Sequence, residues 1–304
     1  MLLPSASAPV GNIEPPSADD PPRAIAFIVI STVLFAVLWV VVKLLSPRYS
    51  VYELTFFRNF FAIIPAVLML VHYGDFGVLR VKRISGHVWR AVLGITAMML
   101  GFASYTLMPL ANAVAISFMS PLVITALSVP LLGEKVGPWR WSAVVVGFVG
   151  VLVIVNPGEG FLTTGALVAI GGAAVTALAM ITIRQLNRSD KPVAIVFYFA
   201  LFATLFSALP LPFVWVTPQG WDWALLIGAG LSGGFGQHFM TRAFALAPAA
   251  VVSPFNYVSL IWSTAAGWLF WGDLPASNVY FGAAIVIASG LVILWRETRR
   301  GVKF

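Results

Sequence analysis

Few residues in this chain are of a type that does chemistry, and they stand far apart. The three histidines are at 72, 87 and 238. No HExxH motif pairs any of them, and His72 and His87 flank a basic loop far along the chain from His238, so no zinc site is expected. The absence of cysteine excludes disulfides, thiolate nucleophiles and sulfur metal sites. Neither a metal nor a cofactor is expected. His238 and Gln237 lie inside an apolar run. One reading of His238 is a neutral imidazole held by a single hydrogen bond. The other is ligand binding or proton sensing, since an unperturbed imidazole titrates near pH ~6.5. A serine–histidine pair through His238 stays open at this point. Gln237 both donates and accepts, as a zwitterion requires. Residues 228–233 read GAGLSG and match the dinucleotide fingerprint. That motif needs a strand before it. Here it sits within an apolar run, so close helix packing or a flexible point explains it better.

Those residues must be held by elements built for lipid. The chain is 60% hydrophobic and 10% charged, against about 25% charged for a soluble domain. The net charge of +7 reads as basic cytoplasmic loops rather than as nucleic-acid binding. Residues 1–23 are rich in proline and lack an apolar core, so they read as a disordered tail and not as a signal peptide.

A helix needs about 20 apolar residues to cross the hydrocarbon. Ten stretches qualify: 25–45, 51–71, 89–108, 112–132, 139–156, 164–184, 193–216, 222–245, 250–271 and 277–296. Continuous apolar runs exclude the alternation of a barrel. The expected fold is therefore an all-α membrane protein with ten transmembrane helices. With the N-terminus in the cytoplasm, fifteen Lys and Arg residues fall inside, Arg90 and Arg184 among them, and only Lys43, Arg48 and Arg58 fall outside. Both termini are therefore expected to be cytoplasmic. Asn187-Arg-Ser189 matches a glycosylation acceptor but lies inside in this topology.

The chain repeats itself. A shift of 139 residues carries Leu107, Pro109, Ala111, Ser120, Thr125, Ala126 and Gly133 onto identical residues, and carries Glu134 onto Asp273 and Phe118 onto Tyr257. The shift maps the fourth span onto the ninth. Five spans is an odd number, so the second half is expected upside down relative to the first. Inverted repeats mark transporters that work by alternating access. The expected units are 24–157 and 158–297, with a basic tail at 298–304.

The segments "MPLANAVAISFMSPLVITALSVPLLGEK", "LAPAAVVSPFNYVSLIWSTAAGWLFWGD" and "FFRNFFAIIPAVLML" resemble the ten-helix EamA-type members of the drug/metabolite transporter superfamily. The likeness covers nearly all of the chain after residue 24. The second half departs from it at Phe197, which stands where Arg58 would recur, and at Asp273, where Glu is common. The resemblance implies a central cavity lined mainly by spans 1, 3, 4, 6, 8 and 9, with spans 5 and 10 as scaffold. It also implies a carrier in the bacterial inner membrane. General likeness points to export of small amphiphilic metabolites, amino acids including aromatic ones. Other cargo (drug, sugar, nucleotide-sugar) remains an alternative, and a channel or an intramembrane enzyme a more distant one. The expected partners are a small-molecule substrate and the lipid bilayer, with no nucleic acid, and a monomer.

Polar groups at lipid depth face the protein interior. Asn256, Ser259, Ser263 and Gly267 share one face of the ninth span, and the shift carries them to Ser117, Ser120, Ile124 and Ser128. These stripes either meet cargo or let helices approach closely. Trp39, Tyr105, Tyr257 and Trp262 either wall an apolar ring or belt the membrane interface. Lys43 and Arg184 either attract a carboxylate or, the favoured reading, snorkel to the interface. Met98, on the third span, completes the cavity candidates: Trp39, Lys43, Met98, Tyr105, Ser117, Gln237, His238, Asn256, Tyr257 and Ser263. Prolines 109, 121, 248 and 254 mark points where helices can bend. No Asp or Glu stands near the middle of a span, which argues against an acid-relay proton antiporter. Few Arg or Lys residues are expected at depth, which ranks phosphorylated cargo low.

Overall fold

The computed structural model describes residues 20–132, 137–155, 163–186, 189–247 and 252–299. Glu134, Glu159, Asn187, Pro248 and Ala250 lie outside the described residues, as do the side chains of Ser128, Arg184 and Pro254. The described residues are helical, with no strand among them. The helices are α1 (Pro21–Leu45), α2 (Val51–Tyr73), α3 (Ile84–Leu107), α4 (Leu110–Ser117), α5 (Ser120–Leu132) and α6 (Pro138–Val155), then α7 (Thr164–Leu186), α8 (Pro192–Ala208), the single turn α9 (Leu211–Val214), α10 (Asp222–Leu246), α11 (Ser259–Trp271) and α12 (Ser277–Arg299). Two 3₁₀ turns, Phe76–Leu79 and Ser253–Val258, join them. Five helical segments are long and apolar enough to cross a membrane, and shorter apolar helices lie at 141–155, 193–208 and 277–292.

Three expected spans are interrupted. The fourth divides at Phe118–Met119 into α4 and α5, the seventh ends in a separate turn, and the ninth opens as a 3₁₀ turn before α11. The cause in the fourth and ninth is local. Phe118 and Met119 donate to Ala115 O and Ile116 O, a tightened i→i−3 pattern. Ser259 N–H caps the second turn on Asn256 O and Tyr257 O. The two breaks fall 139 residues apart. Helix starts and stops follow ordinary chemistry. Asp20 caps α1 by accepting from Arg23 N–H, so that helix begins within the segment read as a tail. Ser50 and Glu53 form a reciprocal capping box on α2. Gly74 and Gly272 close α2 and α11 with positive φ, where a side chain would be strained.

Helix α1 packs along α10, and α3 along α7; α2 meets both α8 and α10, and α3 meets α8; α6 lies along α12, and α4 against α11. Exchanging each helix for the one five spans away returns the same set of pairs. Large apolar side chains cover the outside, among them Phe60, Ile64, Val67 and Val71 on α2 and Val145, Val149 and Leu152 on α6. At i, i+3/i+4, i+7 spacing these are faces that only a lipid solvent leaves uncovered. At the α6–α12 seam two backbones approach closely. A Cβ built on Gly282 would lie 2.6 Å from Gly150 O, and one on Gly150 would lie 2.9 Å from Gly282 O. Ser289 also donates across this seam to Ala143 O.

Charged groups collect at the two ends and pair there. At one end Arg48 Nη1 sits 3.0 Å from both carboxylate oxygens of Asp222, and Tyr49 donates to Asp222 at 2.7 Å. Buried Glu53 accepts from Val216 N–H at 2.6 Å. At the other end His87 Nε2 stands 3.1 Å from Asp190 Oδ2, and Lys82 N–H donates to Asp190 Oδ1 at 3.1 Å. Burial works to raise the Asp190 pKa. The hydrogen bonds from Lys82, His87 and Ser189 outweigh it and hold the carboxyl below its ordinary value.

Two consequences are measurable by thermal unfolding in detergent. Gly282→Val overpacks the α6–α12 seam and lowers stability by about 1–3 kcal/mol. Because Asp190 has a depressed folded pKa, its stabilisation is complete above the unfolded carboxyl pKa of about 4. It is lost as pH falls through the folded value. Asp190→Asn is therefore less stable than wild type at neutral pH, and the gap closes in acid.

Candidate functional site

The sequence candidates fall into three groups in space. The first surrounds Trp39 on α1. Its ring lies 6.0 Å from Tyr105 on α3 and 6.4 Å from Phe35. Tyr105 is buried and Trp39 half-buried. Nearby, Trp262 Nε1 donates to Thr32 Oγ1 at 3.2 Å and Ser31 donates to Gly236 O at 2.8 Å, tying α1 to α11 and α10.

The second group lies at the helix breaks. Phe118 and Tyr257 meet edge-to-face with centroids 5.0 Å apart. They are the same position of the 139-residue repeat. The hydroxyls beside them serve the breaks: Ser120 donates to Ser117 O at 2.9 Å, and Ser259 donates to Asn256 O at 2.6 Å. These two bonds are also 139 residues apart. Ser117 is exposed and donates to Val114 O. Ser263 is fully buried and donates to Leu260 O. Asn256 is half-buried. The Tyr257 hydroxyl lies against α12, where a Cβ on Gly290 would meet it.

The third group is on α10. Gln237 and His238 are half-buried, and the buried Nδ1 of His238 has no hydrogen-bond partner. The GAGLSG segment is a continuous part of α10 and a packing face. Added Cβ atoms at Gly230 and Gly234 would strike Phe61 and Pro65 of α2, each at 2.3 Å.

Lys43 corrects the snorkelling expectation. Its Nζ lies 3.4 Å from Asp273 Oδ2, donates to Met108 O at 3.3 Å and stands 4.7 Å from the Trp271 ring centroid. The reason is tertiary: the Gly272 turn brings Asp273 beside the end of α1, so the ammonium finds a carboxylate before it finds water. Two polar residues, Arg90 and Asn59, are not among the cavity candidates. Arg90, near the start of the expected third span, lies within α3 with its guanidinium 4.1 Å from the Phe199 ring centroid. Asn59 is buried, and it accepts from Arg58 at 2.8 Å and donates to Met98 Sδ at 3.8 Å. The available signal was Gly94, one turn past Arg90, which leaves the space that the guanidinium fills.

The Lys43–Asp273 pair joins the first half of the chain to the second. Lys43 is nearly buried and Asp273 half-open, with side-chain exposures of 11% and 37%, so the pair is partly screened. Lys43→Gln and Asp273→Asn each lower stability by about 1 kcal/mol. A double-mutant cycle read by thermal unfolding shows non-additive losses, because both variants remove the same contact.

The EamA-like transporter family model matches this chain twice, over residues 22–156 and 163–295. A riboflavin transporter of Rhizobium johnstonii is 31% identical over 295 residues, covering 93% of this chain and 95% of its own. An S-adenosylmethionine uptake transporter of Rickettsia prowazekii is 29% identical over 277 residues, covering 91% and 94%. The pseudopaline exporter CntI of Pseudomonas aeruginosa is 28% identical over 278 residues, covering 90% and 95%. A solved crystal structure superposes with a TM-score of 0.63 at 20% identity, over 92% of this chain and 99% of that one, which bears on the fold alone. The chain therefore belongs to the EamA-like transporter family of the drug/metabolite transporter superfamily: a membrane transporter of small molecules and not an enzyme.

Proposed function

We propose that the chain is a bacterial inner-membrane carrier that exports small amphiphilic metabolites, amino acids including aromatic ones, by alternating access. Its units are two inverted five-helix repeats at 24–157 and 158–297, with both termini cytoplasmic, and it acts as a monomer. The observation that carries this reading is the contact of Phe118 with Tyr257, its own repeat equivalent. A residue touches its symmetry mate only at a symmetry axis. An axis through two broken helices supplies a place where two similar halves can lean either way at similar energy. The proposed cargo surface is made by Trp39, Met98, Tyr105, Ser117, Gln237, His238 and Asn256, with Tyr257 and Ser263 at the axis and Lys43 at its outer end. Aromatic walls at Trp39 and Tyr105 favour a cargo with a flat apolar part.

A second reading is a larger heterocyclic metabolite moving in either direction. It is favoured by the names of the relatives, which include one uptake transporter, one transporter of unstated direction and one exporter.

The test is counterflow in liposomes loaded with unlabelled phenylalanine, with a trace of labelled phenylalanine outside. Transient accumulation of label, blocked by tryptophan, is the expected outcome. No accumulation in folded protein removes aromatic amino acids. Counterflow of S-adenosylmethionine or riboflavin in the same vesicles then establishes the second reading.

A further inference from the structure

Three ion pairs hold charges toward the two ends of this bundle, but two deeper cations have no carboxylate partner among the described residues. Arg58 is the eighth residue of α2, about 10 Å along its axis from the start. Arg90 is the seventh residue of α3, about 9 Å from that helix's start at the opposite end of the bundle. Arg58 is 7% exposed. Among the described residues neither guanidinium has a carboxylate within salt-bridge distance. Arg58 Nε, Arg90 Nε and Arg90 Nη1 are buried without any hydrogen-bond partner.

The two head groups converge on one stretch of α3. Arg58 Nη1 donates to Asn59, whose amide reaches Met98 Sδ. Arg90 Nη1 lies over Gly94, 2.2 Å from where a Cβ would stand. Gly94 and Met98 are successive turns of the same helix. An arginine close to a helix start ordinarily extends its head group toward the near interface. Arg90 runs the other way, deeper into the bundle and toward a second cation. Glycines make this possible on both sides: Gly94 leaves room for Arg90, and Gly233 of α10 leaves room for Arg58, whose Nε would lie 3.0 Å from an added Cβ. These glycines are 139 residues apart, so each repeat contributes one vacancy, while both arginines come from the first.

Two buried like charges with unused donors are costly unless an anion joins them. We propose that Arg58 and Arg90 form an anion-binding site between α2, α3, α8 and α10 that takes the carboxylate of the transported molecule. The site itself stands on geometry; the identity of its occupant rests on the carrier reading above. The fork geometry of a guanidinium suits a planar carboxylate. The Phe199 ring lies 4.1 Å from the Arg90 guanidinium and packs against it.

The experiment uses the purified full chain in neutral detergent without lipid, at constant ionic strength, with unfolding followed by tryptophan fluorescence. The ligands are sodium benzoate, inorganic phosphate and the neutral benzamide. Benzoate raises the midpoint by several degrees and benzamide does not. Arg58→Gln and Arg90→Gln each weaken the apparent benzoate affinity about 10- to 100-fold, and Arg90→Lys retains part of it. Arg90→Met melts higher than wild type without anion and gains nothing from benzoate, the opposite of what a structural arginine shows. Equal shifts with benzoate and benzamide, or unchanged benzoate affinity in Arg90→Gln, overturn the site. Stabilisation by phosphatidylglycerol that benzoate fails to displace assigns the site to a lipid, and stabilisation by phosphate alone assigns it to a free anion. Either result overturns the cargo assignment. Benzoate binding in protein that shows no counterflow keeps the anion site and removes the carrier beneath it. Counterflow unaffected by Arg90→Gln does the reverse.

Discussion

In hydrocarbon an unpaired backbone N–H or C=O costs several kcal/mol, and lipid offers it no partner. Nearly every local feature of this chain answers that constraint. The described residues are helical. Side-chain hydroxyls on the spans turn back to their own helix: Ser104 to Gly101 O, Ser117 to Val114 O, Thr182 to Leu178 O and Ser207 to Ala203 O. Where the helix does break, at Phe118–Met119, the amides shift to i→i−3 acceptors and Ser120 donates to Ser117 O. The break at 257–258 is met the same way by Ser259. Irregular backbone at this depth is tolerated only where protein covers it, and here the cover is the other break.

That mutual cover explains why both halves keep small residues on the same face. Ser259, Ser263 and Gly267 are buried on α11, and a side chain at Gly267 would press on Asp273 O at 3.2 Å. The aromatic pair at the contact, Phe118 and Tyr257, fills the space the small residues leave. The α6–α12 seam shows the opposite arrangement. There Gly150 and Gly282 bring two backbones together with nothing between them. Without a hydrophobic drive between helices, close packing is what holds a membrane seam. A seam this tight resists sliding, while a contact made of one edge-on ring pair at two broken helices does so far less.

Much of this architecture was legible in the sequence because lipid imposes a long, simple pattern. Apolar runs of about 20 residues and a 139-residue self-match do not depend on tertiary detail. The match also put Phe118 opposite Tyr257, and the structure brings those two rings together. What was not legible were contacts between residues far apart in sequence with no shared motif. His87 meets Asp190 across 103 residues, and Lys43 meets Asp273 across 230. Lys43 looked like a cation at a helix end, where snorkelling is the local optimum. Its partner sits beyond a glycine turn on another helix. Arg90 stands near the start of the third expected span, where a cation ordinarily reaches for the near interface. Only the position of Gly94 relative to that arginine hinted that its head group turns inward. The serine stripes were legible as a face, but not what the face meets, since small polar residues serve packing and ligand contact equally.

The charges now sort by depth, and the sorting constrains any motion. End charges are paired across the halves: Lys43 on α1 with Asp273 after α11, and Arg48 after α1 with Asp222 on α10. Leaning of one half against the other, as proposed for transport, has to break such pairs at one end. Both pairs are partly exposed and screened by solvent, so each contributes little. That is small enough for ligand binding to offset, and large enough to bias the resting state of a molecule whose two states differ by a few kcal/mol. Among the described residues no carboxylate pairs with the deep cations, which hold only the Asn59 amide and the Phe199 ring. Phe197, and not a second arginine, occupies the repeat equivalent of Arg58. A nearly symmetric frame thus holds an asymmetric charge. An anion arriving there neutralises a group that belongs to one half only, and so acts on the halves unequally.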